Sequence, residues 1–332
     1  MPAVRKGDNG DPIIQSIREM TLTPNVLVVL DPTSKQQPSL ERAAWFAQRT
    51  GAALDLFICD YEQDFATTAV FDLAALESAR RSLIATHFRT LKEHAKRLER
   101  QGITARVDAR WDHPLDAGIL KKAMEAKADL VIKDTHYHDA WRRTLFSSTD
   151  WCLIRSCPVP LWLVKPRRMA ERPSIVAAVD PLHEHDKPAS LDDRILSAAK
   201  DICAAAGGEL HVFHAYDIAP ALAVSADSIM MPISAPVRDV AAALEVRHTE
   251  AVFALTDRHS LARSCVEVHE GATRQLLVAL TERMKADLVV IGAVSRSALR
   301  RLFIGSTAEQ VLDKLPCDIL IVGPEGLPAA VD

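Results

Sequence analysis

The chain has 332 residues, of which 48% are hydrophobic and 25% are charged, the ordinary balance of a soluble globular protein. At about 150 residues per domain, this length predicts roughly two domains. The formal net charge of −4 argues against broad binding to nucleic acid or to anionic membranes, which needs concentrated positive charge. The apolar runs are too short to cross a bilayer, and residues 1–20 lack the apolar segment of a signal peptide. We therefore expect a cytoplasmic protein without membrane insertion and without a nucleic-acid partner.

Short β-branched runs alternate with amphipathic helical segments along most of the chain. The runs are apolar throughout, which is typical of parallel strands whose two faces are both covered by helices. This alternation predicts an α/β fold with right-handed crossovers, and helices are expected to stop at Gly51 and at Gly207. We predict ten strands, near 25–30, 53–59, 103–109, 129–134, 160–165, 174–179, 209–215, 264–269, 287–292 and 318–322.

Two long segments, 129–166 and 287–324, align without a gap and indicate an internal duplication. Both open on Asp-Leu-Val, carry an Arg-Arg pair and a Ser-Thr pair, and close on Val-x-Pro. The segments 26–32 and 175–181 match as well, since each is an apolar strand followed by Asp-Pro. Self-similarity at this long period indicates two copies of one domain. We predict an N-terminal extension over 1–21, a first domain over 22–167 and a second domain over 172–325.

The second copy carries a candidate phosphate site after its fourth strand. Gly305-Ser306-Thr307 is predicted to open a helix, and Ser306 with Glu309 has the spacing of a capping box. A glycine lets a ligand approach the backbone closely, and the free amides at a helix start can hold a phosphate. In an open α/β sheet, ligands bind at the carboxyl ends of the strands, where Asp180 follows the first strand of this copy.

The spacing of these residues resembles a motif of the universal stress proteins. Members that bind ATP carry G-x2-G-x9-G-[ST] after the fourth strand, and this chain has Gly292, then Ser295 in place of the second glycine, then Gly305-Ser306. From 24 to 324 the chain resembles the tandem universal stress proteins, which carry two such domains. The resemblance implies two Rossmann-like domains, each a five-stranded parallel sheet flanked by helices. It also implies that ATP or a related adenine nucleotide is bound by Asp180, Gly292, Ser295, Gly305, Ser306 and Thr307.

In the first copy the three glycine positions of this motif are Asp134, Tyr137 and Ser147. A carboxylate at 134 would repel a phosphate, and a tyrosine would fill the space that the phosphates need. We therefore predict that a nucleotide binds in the second domain only. In the family, single domains often pair through their fifth strands. The apolar segments 161–164 and 319–322 suit such pairing, so we expect an intramolecular pseudo-dimer with scope for a further homodimer.

Other functions remain open at this stage. The segment 217–236 lacks lysine and arginine, and it could be a lid over a pocket for an apolar or amphiphilic metabolite. His136 and His138, close to Asp134, could hold zinc, although His-x-His in a loop is more often polar surface. A protein-interaction module without a ligand is a third reading. We find no catalytic motif and expect a stress-response binding protein rather than an enzyme.

Overall fold

The computed structural model describes residues 23–61, 73–135, 137–138, 143–144, 146–182, 190–218, 237–295, 302–303 and 311–324. These residues form an α/β fold of two Rossmann-like repeats, as predicted, and all ten predicted strands are present. The described helices include none that is both long enough and apolar enough to span a membrane.

The first repeat contributes five strands to the main sheet and has four described helices, and a separate two-residue ladder pairs Tyr137–His138 with Arg143–Thr144. In chain order the main-sheet strands and the helices are β1 (Asn25–Val29), α1 (Pro38–Thr50), β2 (Ala53–Asp60), α2 (Leu73–Glu99), β3 (Ala105–Trp111), α3 (Leu115–Glu125), β4 (Leu130–Asp134), α4 (Ser148–Ser156) and β5 (Leu161–Val164).

The second repeat follows the same order of elements. Its described elements are β6 (Ser174–Ala178), α5 (Ser190–Ala206), β7 (Glu209–Tyr216), α6 (Val237–Arg258), β8 (Val266–Glu270), α7 (Thr273–Arg283), β9 (Leu288–Gly292) and β10 (Asp318–Val322).

All ten strands lie in one continuous sheet with the order β8-β7-β6-β9-β10-β5-β4-β1-β2-β3. Within each repeat the strands are parallel, and the order reverses between the first and fourth strands, β1 beside β4 and β6 beside β9. Ligands bind beside such a reversal in open α/β sheets. The repeats join where β5 pairs antiparallel with β10, with Trp162 opposite Leu320. This is the pairing of fifth strands that the resemblance implied.

The turn before the fourth strand has the same backbone geometry in both repeats. Lys127 and Lys285, which lie at equivalent positions, have positive φ angles of 48° and 50°. The aspartate two residues later binds back to the first strand of its own repeat. Asp129 accepts a hydrogen bond from the backbone N–H of Asn25 at 2.8 Å, and Asp287 accepts one from that of Ser174 at 3.1 Å. The shared Asp-Leu-Val of the two copies therefore has a structural role in each.

The core consists of two apolar layers, one on each face of the sheet, and both layers run through both repeats. Trp162 lies at the junction, fully buried, with its ring edge-on to those of Trp45 and Phe46. Gly51 ends α1 in the left-handed conformation with φ of 74°, as its position in the sequence predicted. Burial of large apolar side chains across the β5–β10 junction stabilises the two repeats as one unit.

A buried ion pair crosses the same junction. Arg42 of α1 lies 3.0 Å from Asp318 of β10, and the two side chains are 3% and 0% exposed. The Asp318 carboxylate also accepts hydrogen bonds from the indole N–H of Trp162 at 2.8 Å and from the backbone N–H of Lys165 at 3.0 Å. Burial raises the pKa of Asp318 to about 6, and it lowers the pKa of Arg42. The first repeat thus supplies all the contacts named here to a carboxylate of the second.

The segment that joins the two repeats is anchored at Arg167. The guanidinium of Arg167 donates to the Asp287 carboxylate at 2.8 Å and to the carbonyl of Ala286 at 3.1 Å. Its backbone carbonyl accepts a hydrogen bond from Arg42 at 2.7 Å. The linker therefore holds the two repeats in a fixed orientation through charge-assisted hydrogen bonds.

Candidate functional site

The described part of the second-repeat site lies at the carboxyl ends of β6 and β9. Asp180 follows β6, is half-buried, and donates its backbone N–H to Asp192 of α5 at 3.0 Å. Gly292 ends β9, and the next described residues form a short antiparallel ladder in which Ser295 pairs with Leu302. Three predicted site residues, Gly305, Ser306 and Thr307, lie outside the described residues. The structure therefore brings Asp180 and Gly292 to the same edge of the sheet, where the strand order reverses.

Gly292 allows close packing as well as occupying its place in the motif. A Cβ atom at this position would lie 2.7 Å from Cδ2 of Leu191 and 3.0 Å from Cδ1 of Ile195, both on α5. A side chain here would force Leu191 to shift, so glycine lets α5 pack closely against the end of β9. The glycine brings the first turn of α5 against the strand end.

The equivalent position in the first repeat is Asp134, which places a carboxyl side chain where the second repeat has glycine. Its carboxylate accepts a hydrogen bond from the backbone N–H of Ser39 at the start of α1. Ser39 is fully buried. Burial raises the pKa of Asp134 to about 7, although the hydrogen bonds from Ser39 act to lower it. A carboxyl group thus occupies the carboxyl end of β4, whereas the equivalent strand end in the second repeat has no side chain.

The helix start that would hold a phosphate is also closed in the first repeat. Ser147 caps α4, and its side chain and backbone exchange hydrogen bonds with Asp150 in a complete capping box. Asp150 is fully buried and accepts a hydrogen bond from the ammonium of Lys133 at 2.7 Å. The carboxylate neutralises the positive end of the helix dipole, so a second anion gains little there. The gapless alignment puts Ala308 opposite Asp150 and Ile291 opposite Lys133, so the second repeat lacks this ion pair.

Asp31, which follows β1, organises its own loop. Its Oδ1 atom accepts hydrogen bonds from the backbone N–H and the hydroxyl of Thr33, at 2.8 and 2.6 Å. The side chain of Gln37 then bridges the Asp31 backbone to that of Ser34. Asp31 therefore caps its own loop.

A buried histidine pair lies beneath the strand ends of the second repeat and was missed from the sequence. His214 of β7 and His248 of α6 are 2% and 1% exposed, and their ring nitrogens lie 2.8 Å apart. Nδ1 of His214 lies 3.0 Å from the carbonyl oxygen of Val179 and therefore carries a proton. Strand register puts Ile58 at the place of His214 in the first repeat. Only a comparison of the two copies, position by position, could have identified this pair.

The remaining site predictions fall largely outside the described residues. His136 and the segment 219–236 lie outside them, and only the backbone of His138 is described. Among the residues that the structure does describe, no three His, Cys, Asp or Glu side chains are grouped as a metal site would need. All six cysteines are free thiols.

Comparison with known proteins identifies similar chains over almost the full length. A family model described as "Universal stress protein family" matches residues 23–165 and again residues 173–323. Universal stress protein E of Salmonella typhi and of Escherichia coli K12 are each 28% identical to this chain over 317 residues, covering 94% of it and 98% of the relative.

Two solved structures from Pseudomonas aeruginosa have the same architecture. One is a functionally unknown protein of strain PAO1 and the other a putative universal stress protein of strain UCBPP-PA14. Each is 25% identical, covers 91% of this chain and gives a TM-score of 0.68; 93% and 94% of their own chains are covered. A universal stress protein from Archaeoglobus fulgidus DSM 4304 shares the fold at 17% identity, with a TM-score of 0.60, covering 90% of this chain and 98% of its own.

Proposed function

Because this chain belongs to the universal stress protein family, whose model matches each repeat in turn, we propose that it is a non-enzymatic stress-response protein that binds an adenine nucleotide, or a similar anion, in its second domain. Asp180 and Gly292 at the strand ends, Ser295, and the helix start Gly305-Ser306-Thr307 would form the site. The first domain would act as a structural partner that binds no nucleotide.

The difference between the two copies at three aligned positions carries this proposal. The first repeat has Lys133, Asp134 and Asp150, whereas the second has Ile291, Gly292 and Ala308. In the first repeat, Asp150 neutralises its helix start and Asp134 fills the strand end. The second copy lacks both carboxylates and keeps the glycine and hydroxyl residues that suit a phosphate.

Introducing the missing acid into the second repeat tests the proposal. We expect native mass spectrometry of the freshly purified wild-type chain, incubated with ATP, to detect one nucleotide per chain. Ala308→Asp should abolish binding, because a carboxylate at the helix start repels the phosphates. Ala308→Ser is the matched control, since it adds a polar group without charge and should retain binding.

Two outcomes would contradict the proposal. One is the absence of bound nucleotide in the wild-type chain at millimolar ATP. The other is unchanged binding in Ala308→Asp when circular dichroism shows that the variant is folded. Gly305→Trp gives an independent check, because a bulky side chain beside the predicted phosphate position should also abolish binding.

The proposal extends to the setting of the protein. We propose a cytoplasmic location, since six free thiols, three of them buried, fit a reducing compartment. The β5–β10 pairing already joins two family domains within one chain, which leaves the outer edges β3 and β8 for further assembly into a homodimer. Analytical ultracentrifugation would determine whether such a dimer forms.

A further inference from the structure

The first repeat contains a small cavity where the second repeat is proposed to bind its ligand. The cavity has a volume of about 80 Å³ and lies at the carboxyl ends of β1, β2 and β4, beside the starts of α3 and α4. Its apolar wall includes Leu115 and Ile119 of α3 and Cys59 of β2, and its polar wall includes Asp31 and Asp134. One water molecule needs at least about 10–15 Å³ of such space, so the cavity has room for several waters or for an organic molecule of a few non-hydrogen atoms.

One carboxylate oxygen in this wall lacks a hydrogen-bond donor. Oδ1 of Asp134 is bound by the backbone N–H of Ser39. Oδ2 of the same carboxylate is buried, and it accepts no hydrogen bond from the residues that the structure describes. Buried polar atoms in native proteins are nearly always satisfied, so this oxygen indicates a partner that enters from the cavity.

The charges around the cavity favour a cationic partner. Among the residues that the structure describes, Asp31 and Asp134 line the cavity against one cation, Lys133. The ammonium of Lys133 is already bound to Asp150 at 2.7 Å and to the backbone carbonyl of Asp134 at 2.9 Å. A third carboxylate therefore offsets part of the charge of Lys133. The wall retains net negative charge, which opposes an anion and attracts a cation.

From the cavity, the unsatisfied oxygen and this charge balance, we propose that the first repeat binds a small organic cation, a primary ammonium group on a short apolar body. The ammonium donates a hydrogen bond to Oδ2 of Asp134, and the apolar body lies against Leu115 and Ile119. This proposal does not rest on nucleotide binding by the second repeat. It gives the two repeats ligands of opposite charge at equivalent ends of their sheets.

Protonation of Asp134 should make the affinity for the ammonium ligand depend on pH. Burial raises the pKa of this carboxyl to about 7, so the group is largely neutral at pH 6 and largely ionised at pH 8. An ammonium ligand binds the ionised form. Its affinity should therefore increase about tenfold between these pH values, because the ionised fraction increases by about that factor.

The experiment is a titration of the full-length protein with propylammonium, followed by NMR of labelled Ile and Leu methyl groups. The methyl groups of Leu115 and Ile119 report directly from the cavity wall. Two probes of similar size serve as controls: 1-propanol, which is uncharged, and propionate, which is an anion. We expect saturable shifts with propylammonium, dissociation constants on the order of millimolar for so small a ligand, and much weaker effects of the two controls.

Asp134→Asn should weaken propylammonium binding about tenfold or more, because it removes the charge and presents an amide donor to the cavity. Glu77→Gln is the matched control, since it removes a charge from an exposed position on α2 and should leave binding unchanged. Equal affinity for propanol and propylammonium would overturn the proposal, as would unchanged binding by Asp134→Asn. Should that variant fail to fold, a wild-type affinity that does not increase from pH 6 to pH 8 would overturn it instead.

Discussion

Replacing Arg42 by methionine removes the cation from the buried ion pair that joins the two repeats. Asp318 then keeps only its hydrogen bonds from Trp162 and Lys165 and remains fully buried. Removing one partner of a buried pair costs about 3–5 kcal/mol, because the other charge is left uncompensated. We expect Arg42→Met to lower the free energy of unfolding by that amount at pH 8.

The size of this effect should depend on pH in a definite direction. Asp318 has a folded-state pKa of about 6 against an ordinary value of 3.8, with burial as the main cause. A raised carboxyl pKa means that its stabilising contribution is complete below about pH 4 and is lost as the pH rises through 6. That loss amounts to about 3 kcal/mol for a shift of about two units. Without Arg42 the pKa rises further, so Asp318 stays neutral at pH 5 and the variant should be less destabilised there.

The assay is equilibrium urea denaturation at pH 8 and at pH 5, followed by tryptophan fluorescence. A double-mutant cycle of Arg42→Met with Asp318→Asn isolates the interaction, and we expect a coupling energy of about 2–3 kcal/mol at pH 8. Arg81→Met is the control, because the Arg81–Glu77 pair is exposed and should contribute less than about 1 kcal/mol. An Arg42→Met effect that is below about 1 kcal/mol, or that is larger at pH 5 than at pH 8, would refute the reasoning.

Three further predictions concern other parts of the molecule. Gly292→Ala should lower the free energy of unfolding by about 1–3 kcal/mol, since the new Cβ would lie 2.7 Å from Leu191. Adding Leu191→Ala should restore part of the lost stability, as measured by urea denaturation. His248→Leu should lower the free energy of unfolding by about 1–3 kcal/mol, because it leaves a ring nitrogen of His214 buried without its partner. Adding His214→Ile should recover stability, because both positions are then apolar. A double variant that is no more stable than the single one would contradict this. Burial raises the pKa of three thiols, those of Cys59, Cys157 and Cys317, to about 12. Iodoacetamide at neutral pH should therefore leave these thiols unmodified in the native protein, which peptide mass spectrometry can check.

Local patterns were sufficient to predict the fold. Apolar runs with β-branched residues gave the ten strands, and the gapless repeat showed that the second half would copy the first. Gly51 ended its helix as expected, because a glycine at that position readily adopts a positive φ. These features depend on neighbours in sequence, so the sequence is enough to recognise them.

Contacts between distant segments could not be predicted in the same way. Arg42 and Asp318 are separated by 276 positions, and nothing near either residue marks it as buried. The role of Asp150 as helix cap and partner of Lys133 depends on how β4 meets α4. Such residues are identified only when the topology brings their strands and helices together.

The candidate site was predicted in part. The sequence motif predicts a site at the strand ends of the second repeat, and the structure adds that Gly292 also makes room for Leu191. The expectation that Asp134 would oppose a phosphate gains a physical basis, because the carboxylate is buried at the strand end and bound by Ser39. Binding of nucleotide through Gly305, Ser306 and Thr307 stays a prediction.

A crystal structure of the full-length protein grown with ATP is the most direct test of nucleotide binding in the second repeat alone. We expect one nucleotide per chain, with its phosphates at the helix start 305–307 and its adenosine near Asp180, and no nucleotide beside Asp134. Nucleotide density in the first repeat would contradict this expectation, as would a second-repeat site that is clearly visible at saturating ATP and contains no nucleotide.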